Sequence, residues 1–355
     1  MKTKVFTSLI ALLVITIALN AQQQSLSGNK YTLLTTPYNK RPLTLYRGQF
    51  QINTGYQFAV RARQFDSEGK KVILKDLGVA SVYHYYMIEL KYGVNNFLEL
   101  SATTNYLKRG IRSQTVNYVS STESISVTNL DEQKGIGDIL LLATTRLPFQ
   151  YRWFDLAVRG GAYIPSAEYK PEKPTHSIRN VLSTNVYDID YHYNSRIGYG
   201  VPVYVIGGAL KFSYSNLSVE SEFSFSDPVE EGENIRWDET LTASRTFDYT
   251  SKSYDYLLNT TYDFNAALYY QAAGWFNMGL NVNYFKSSGG WTEYRKDKYR
   301  NPEQSTLILE PEFEIQITPS IRIFQTAGFP VSGKNIDAPF YLYITLSFNT
   351  FPFLR

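Results

Sequence analysis

Cysteine is absent from the 355 residues. That excludes disulfide staples, thiolate catalysis, cysteine-ligated metals and a lipid-modified cysteine at a mature N-terminus. Histidine occurs only three times, which leaves little material for a nucleophile, a base and an orienting group held within reach of one another. Charge is scarce too, at 19% of the chain with a formal net of +3. Setting aside Lys2 and Lys4, 35 minus 32 becomes 33 minus 32, about +1, so no net-charge argument for a nucleic-acid partner remains. Beyond Leu19 no apolar run approaches the roughly 20 residues that a membrane-spanning helix requires.

The one long apolar run, Val5 to Leu19, follows Lys2 and Lys4 and precedes Asn20-Ala21. This is the charge, core and small-residue layout of a secretory leader, with cleavage expected after Ala21. An exported chain with no later apolar run is either soluble outside the cytoplasm or crosses an outer membrane as a closed barrel. Aromatics reach 15% with 30 Tyr, while mean hydropathy is only -0.27. The apolar residues are diluted by Ser, Thr, Asn and Gln instead of by charge, a mixture that suits strands.

Gly48 to Val60 reads GQFQINTGYQFAV. Phe50, Ile52, Tyr56, Phe58 and Val60 share one face of an extended chain, and Gln49, Gln51, Asn53 and Gln57 share the other. The same period of two recurs over 46–63, 79–92, 97–108, 135–147, 153–164, 196–213, 217–225, 253–268, 276–284, 307–317, 321–331 and 340–350. The connections alternate in length. Those near 64–78, 109–134, 165–195, 228–252 and 287–304 are long and polar, and those near 93–96, 148–152, 214–216, 269–274 and 318–320 are short. Among roughly sixty positions on the apolar faces of eleven of these segments, chance would place about eleven charges, and we find none, His84 being the one titratable exception; an Arg or Lys facing lipid at mid-bilayer costs about 2–4 kcal/mol.

A soluble β-sandwich also alternates, but nothing in it requires short and long connections to alternate end by end. The pattern therefore predicts an all-β fold: a transmembrane antiparallel up-and-down β-barrel of about 12 strands, with about 14 the alternative count, short periplasmic turns and long extracellular loops. Residues 1–21 form the leader, 22–45 an N-terminal segment that could fold inward as a plug, and 46–355 the barrel. Tyr92, Phe97, Phe149, Tyr151, Trp153, Phe154, Tyr269, Tyr270, Trp275 and Phe276 gather at the short-turn end, as amphipathic rings at headgroup depth do. Pro202 and Pro311 fall within strands, and Lys211 would face lipid unless Gly207-Gly208 shifts the register, so bulges are expected at these places.

KYGVNNFLEL at Lys91 to Leu100, GIGDI at Gly135 to Ile139, GGAYIPS at Gly160 to Ser166 and FPVSGKN at Phe329 to Asn335 resemble phrases of the outer-membrane transporter barrels of the phenol-degradation (MetA-pathway) family. The resemblance implies a single barrel in the outer membrane of a Gram-negative envelope and a role in uptake of small, often apolar or aromatic compounds. The C-terminus departs from the common barrel ending: Leu342, Ile344, Leu346 and Phe348 alternate, but Pro352, Phe353, Leu354 and Arg355 follow. Either Phe348 or Phe351 can serve as the terminal aromatic for the barrel assembly machinery.

Charges concentrate on the inward phase near the short-turn end: Glu89, Lys91, Glu99, Asp155, Arg159, Glu220, Glu222, Glu310, Glu312, Glu314 and Arg322, with Arg61 and Arg63 near the other mouth. Two readings stand side by side: a pore-lining constriction whose opposed acidic and basic walls select polar solutes by charge and orientation, and a salt-bridged network that satisfies the interior. His84 reads as interfacial. Asp188, Asp190 and His192 alternate in a loop without enough further ligands to specify a metal site. GIGDI and Ser287 to Gly290 lack the strand-to-helix context of phosphate-binding loops. No catalytic residue, metal or cofactor is expected. The expected function is passive passage of small solutes, with lipid and solute as partners; a non-conducting barrel that anchors a partner through its loops is the alternative.

Overall fold

The computed structural model describes residues 42–73, 80–119, 122–147, 153–167, 176–181, 184–189, 197–241, 247–294 and 297–350. The expected leader and residues 22–41 of the N-terminal segment, Phe149, Tyr151, His192, Asp190 and the terminal 351–355 lie outside these residues.

Twelve strands form the wall: β1 (Phe50–Arg61), β2 (Ala80–Gly93), β3 (Leu98–Val119), β4 (Ile139–Arg146), β5 (Phe154–Ile164), β6 (Val203–Tyr214), β7 (Leu217–Pro228), β8 (Thr260–Ala273), β9 (Phe276–Ser288), β10 (Gln304–Thr318), β11 (Ile321–Lys334) and β12 (Phe340–Asn349). Each pairs antiparallel with its chain neighbours, and β1 pairs with both β2 and β12, so the sheet closes. Closure removes every edge and satisfies the backbone within the wall, which is what hydrocarbon demands.

The side-chain faces are inverted relative to a soluble core. Tyr86, Leu100, Leu141, Val158, Ile206, Phe223, Leu268, Leu280, Phe313 and Ile344 are exposed on the outer surface. Asn53, Glu99, Lys211, Asn277, Asn281, Glu314, Arg322, Ser347 and Asn349 are buried inside. The opening stretch behaves as its pattern requires: Asn53 is buried while Tyr56 is exposed.

Two aromatic bands bound the apolar face. At the short turns Trp153 stacks on Phe212 at 6.0 Å and Trp275 lies against Phe276 at 5.7 Å. A second band at the outer end joins Tyr56 to Tyr86 at 5.1 Å, Phe225 to Tyr262 at 5.3 Å and Phe329 to Phe340 at 5.3 Å. From Phe276 to Tyr284 the β9 strand rises about 26 Å along its axis, or roughly 20 Å of height at a tilt near 40°. Above the outer band, charge returns to the outward phase as Lys108, Asp227 and Lys286, where headgroups begin; Asp227 accepts from Tyr204 Oη at 3.1 Å and Lys286 meets Glu303 at 3.2 Å. Tyr269, expected in the inner band, faces the interior, as its pairing opposite Gly279 requires.

Several boundaries depart from the sequence reading. The stretch 109–134, expected to be a loop, forms the upper part of β3 and its partner strand Thr122–Ile136, a hairpin projecting past the rim. Expected loops 228–252 and 287–304 contribute Gly232–Leu241, Phe247–Leu257, Trp291–Tyr294 and Asp297–Arg300, which pair as a four-stranded surface sheet. The eighth wall strand begins at Thr260, not near 253, because the chain up to Leu257 pairs with Gly232–Leu241 and Trp291–Tyr294 in that surface sheet instead of with the wall.

The expected bulge at Gly207-Gly208 is absent. The β6 register runs unbroken against both neighbours, and Lys211 points inward on the same phase as Val203 and Val205, which are buried inside the outer mouth. Pro202 precedes β6 instead of interrupting it. At Pro311 the ladder to β11 skips Glu310 and Pro311 without changing register, and the shifts fall at Leu307/Ile308 and Gln316/Thr318.

Candidate functional site

All ten residues expected to line the pore lie on the inward phase of their strands, and the structure joins them into a belt in the short-turn half of the lumen. Lys91 Nζ lies 3.3 Å from Glu89 and 3.9 Å from Glu99. Arg159 pairs with Glu222 at 2.9 Å and Lys211 with Glu220 at 2.6 Å, while Arg322 lies 3.8 Å from Glu314. Lys91 feels Glu222 and Glu99 feels Arg159, and Glu312 lies close to Glu220, so these groups also interact from strands that are not neighbours.

Cations and carboxylates therefore interleave around the wall instead of facing each other as acidic and basic sides. The reason is geometric: Lys211 and Glu220 are cross-strand partners, Lys91–Glu99 and Arg322–Glu314 are diagonal neighbours, Glu89 and Lys91 alternate along β2, and Arg159 reaches Glu222 over Gly207 of the intervening strand β6. Two carboxylates rest on neutral donors. Glu310 accepts from Asn281 Nδ2 and Tyr341 Oη, and Glu312 from Tyr269. Both tyrosines lie flat along the wall over a glycine of the adjacent strand: a Cβ at Gly328 would sit inside the Tyr341 ring, and one at Gly279 inside the Tyr269 ring.

Glu314 and Arg322 are only 3% and 8% exposed and Lys211 5%, so this level of the lumen is packed with side chains. Below it, the chain preceding β1 crosses the short-turn mouth. Leu43 N donates to Asp155 Oδ2 at 2.8 Å and Leu45 N to Glu99 Oε2 at 2.9 Å, and Thr44 is buried. Arg146 supports Asp155 at 3.8 Å. Leaving aside the rim pair Arg61–Asp337 at 2.7 Å, nine inward carboxylates (Glu89, Glu99, Asp155, Glu220, Glu222, Asp263, Glu310, Glu312, Glu314) face five cations (Lys91, Arg146, Arg159, Lys211, Arg322) among the described residues.

Above the belt the lumen opens into a chamber of about 410 Å³ that includes Tyr85, Asn105, Asp138, Tyr163 and Tyr199 in its lining. Asp138, at the break between Ile136 and β4, is buried and accepts three backbone amides: Ser166 at 3.0 Å, Ala167 at 3.1 Å and Tyr199 at 2.5 Å. Tyr256 Oη donates to the Tyr199 carbonyl at 2.6 Å. Burial, reinforced by Tyr163 and Asp263, pushes the Tyr199 phenol well above the usual tyrosine range, so it stays protonated. The sequence reading set GIGDI aside as chemistry and missed Asp138. A lone carboxylate following two glycines at a strand break is its only local signal. His84 faces outward and meets Tyr56 Oη at 2.9 Å, as an interfacial ring does.

No protein-family model matches the chain, and no curated protein matches it. Among solved structures it resembles an outer membrane channel from Pseudomonas putida F1, at a TM-score of 0.60 and 11% identity over 86% of this chain and 97% of that one. It also resembles the monoaromatic hydrocarbon channel TodX, as a deletion mutant, at a TM-score of 0.50 and 8% identity over 91% of this chain and 93% of that one. At such identities the likeness is one of fold: the chain is built as outer membrane channel barrels are.

Proposed function

We propose that the protein is an outer-membrane channel for passive entry of small solutes, small apolar or aromatic compounds among them, narrowed at rest by its packed belt and by the N-terminal segment acting as a plug. The observation that carries the reading is the pair of backbone anchors from Leu43 and Leu45 to Asp155 and Glu99, which holds chain across the mouth of a closed barrel that is hollow above. Anchors made through backbone amides to two carboxylates exchange readily for water, unlike a wall strand, so the segment is the natural moving part. The belt charges act as the selectivity element, and their excess of carboxylates disfavours anions. The resemblance in sequence phrases and the channel folds of the neighbours agree with this assignment. The reading gives no residue a catalytic role.

Osmotic swelling of proteoliposomes tests it. Vesicles carrying the protein should swell in small neutral solutes faster than empty vesicles and should admit anionic solutes of the same size more slowly. Swelling indistinguishable from that of empty vesicles, with the barrel folded, supports the second reading, a surface scaffold. That reading is favoured by one observation, the four-stranded sheet and the long hairpin raised beyond the rim.

A further inference from the structure

We infer that the chamber above the belt is a binding site for a small organic ammonium ion methylated at its nitrogen, held by tyrosine faces and one buried carboxylate. This inference rests on the channel reading and names a class of solute for it. Three tyrosines from separate parts of the chain, Tyr85 of β2, Tyr163 of β5 and Tyr199, line a space of about 410 Å³, a volume in the range of small-molecule sites. The Tyr163 and Tyr199 rings stand nearly perpendicular, at 70° with centroids 4.8 Å apart, so their π surfaces turn in two directions. A cation is drawn to the negative face of an aromatic ring, and several such faces around one space make an aromatic cage for quaternary ammonium groups. Leu140 and Ile197 add apolar contact for the methyl groups of such an ion.

The carboxylate is Asp138, which also lines the chamber. It is 5% exposed, and its oxygens accept the backbone amides of Ser166, Ala167 and Tyr199. Among the described residues no Lys or Arg pairs with it, and none lines the chamber. Buried charges are ordinarily paired with an opposite charge, so a carboxylate balanced by amide dipoles alone leaves a place for a cation. The cage is also built before any ligand arrives. Asp138 holds the Tyr199 amide and Tyr256 holds the Tyr199 carbonyl, which fixes the backbone that carries one of the three rings. A preformed site loses less on binding than one that must order its loops. The path below keeps the same sign, since nine inward carboxylates face five cations among the described residues. A neutral solute of the same shape meets the same rings and gains nothing from Asp138.

The test is isothermal titration of the refolded protein in dodecylmaltoside micelles with choline and with 3,3-dimethylbutan-1-ol, subtracting uptake by empty micelles. The second probe has the shape of choline with carbon in place of the charged nitrogen. Saturable binding of choline is expected, with the neutral probe at least about tenfold weaker. Tyr85→Leu should weaken choline about tenfold, whereas Tyr85→Phe, which keeps the ring face, should bind it as the parent does. Asp138→Asn should shrink the preference for choline over the neutral probe, a ratio that a merely structural role of Asp138 leaves unchanged. Folding of each variant is read from heat-modifiable migration on gels. No saturable site, equal affinity for the two probes, or a full preference for choline in both folded Tyr85→Leu and Asp138→Asn overturns the proposal. Vesicles that swell while the titration finds no site retain the channel and discard the cage, whereas saturable choline binding without permeation does the reverse.

Discussion

Replacing Glu314 with alanine should destabilise the folded barrel by about 3–5 kcal/mol, because breaking a buried ion pair leaves a charge without compensation. Glu314 is 3% exposed, and its side chain lies 3.8 Å from Arg322 and accepts from Asn277 Nδ2 at 2.7 Å. The alanine variant leaves a guanidinium in a packed interior and removes the acceptor for a buried amide. The double variant Glu314→Leu, Arg322→Met replaces the pair by apolar volume and should recover most of the loss, since a buried pair exchanged for matched hydrophobes is often neutral. Urea titration of refolded protein in lipid vesicles, followed by tryptophan fluorescence, reads both. A single variant as stable as the parent would mean that the belt is wet at this level, and the packed lumen would have to be abandoned.

Leu280→Arg should cost about 2–4 kcal/mol and sharply reduce the folded fraction, as a cation at mid-bilayer on the lipid face does. Leu280 is 48% exposed on the outer surface, between Leu268 of β8 and Pro311 of β10. Arginine at the outward position of Tyr284, four residues nearer the outer rim, should cost far less, because the penalty falls toward the interface. The same urea series reads this gradient. Equal cost at the two positions would argue against the bilayer lying between the aromatic bands.

These two positions also mark what the sequence exposes and what it hides. Leu280 belongs to a phase in which Phe276, Met278, Val282 and Tyr284 agree, and a wall facing lipid on one side and polar groups on the other writes that phase in every strand. The wall, its closure and the inward placement of the ten candidate residues follow from it. The phase misleads where the interior itself turns apolar. Val203 and Val205 share the inward phase of Lys211 and line the outer mouth, so the apolar phase of β6 points to lipid where the strand in fact faces the lumen, and the bulge expected at Gly207-Gly208 is not needed.

Pairing partners are harder to read. Lys211 and Glu220 are opposite one another only once the β6–β7 register is fixed, and Arg322 reaches Glu314 only across a diagonal. The choice between a selective constriction and a filled interior therefore had no answer in the sequence, because interleaved and segregated charges have the same composition. Asp138 is hidden for a related reason. Its partners Ser166, Ala167 and Tyr199 are backbone amides, which carry no residue identity to recognise. The surface sheet and the hairpin beyond the rim stand outside the lipid-facing wall, whose alternation is the signal that marks the other strands.

The most direct measurement is planar-bilayer conductance of the protein lacking residues 1–21 beside a form that also lacks 22–47, with reversal potentials in a salt gradient. The account predicts small, cation-preferring steps from the longer form, and larger steps with the cation preference retained once the segment anchored on Asp155 and Glu99 is gone. Folded, heat-modifiable barrels that conduct nothing in either form would contradict it, and the protein would then be a scaffold instead of a channel.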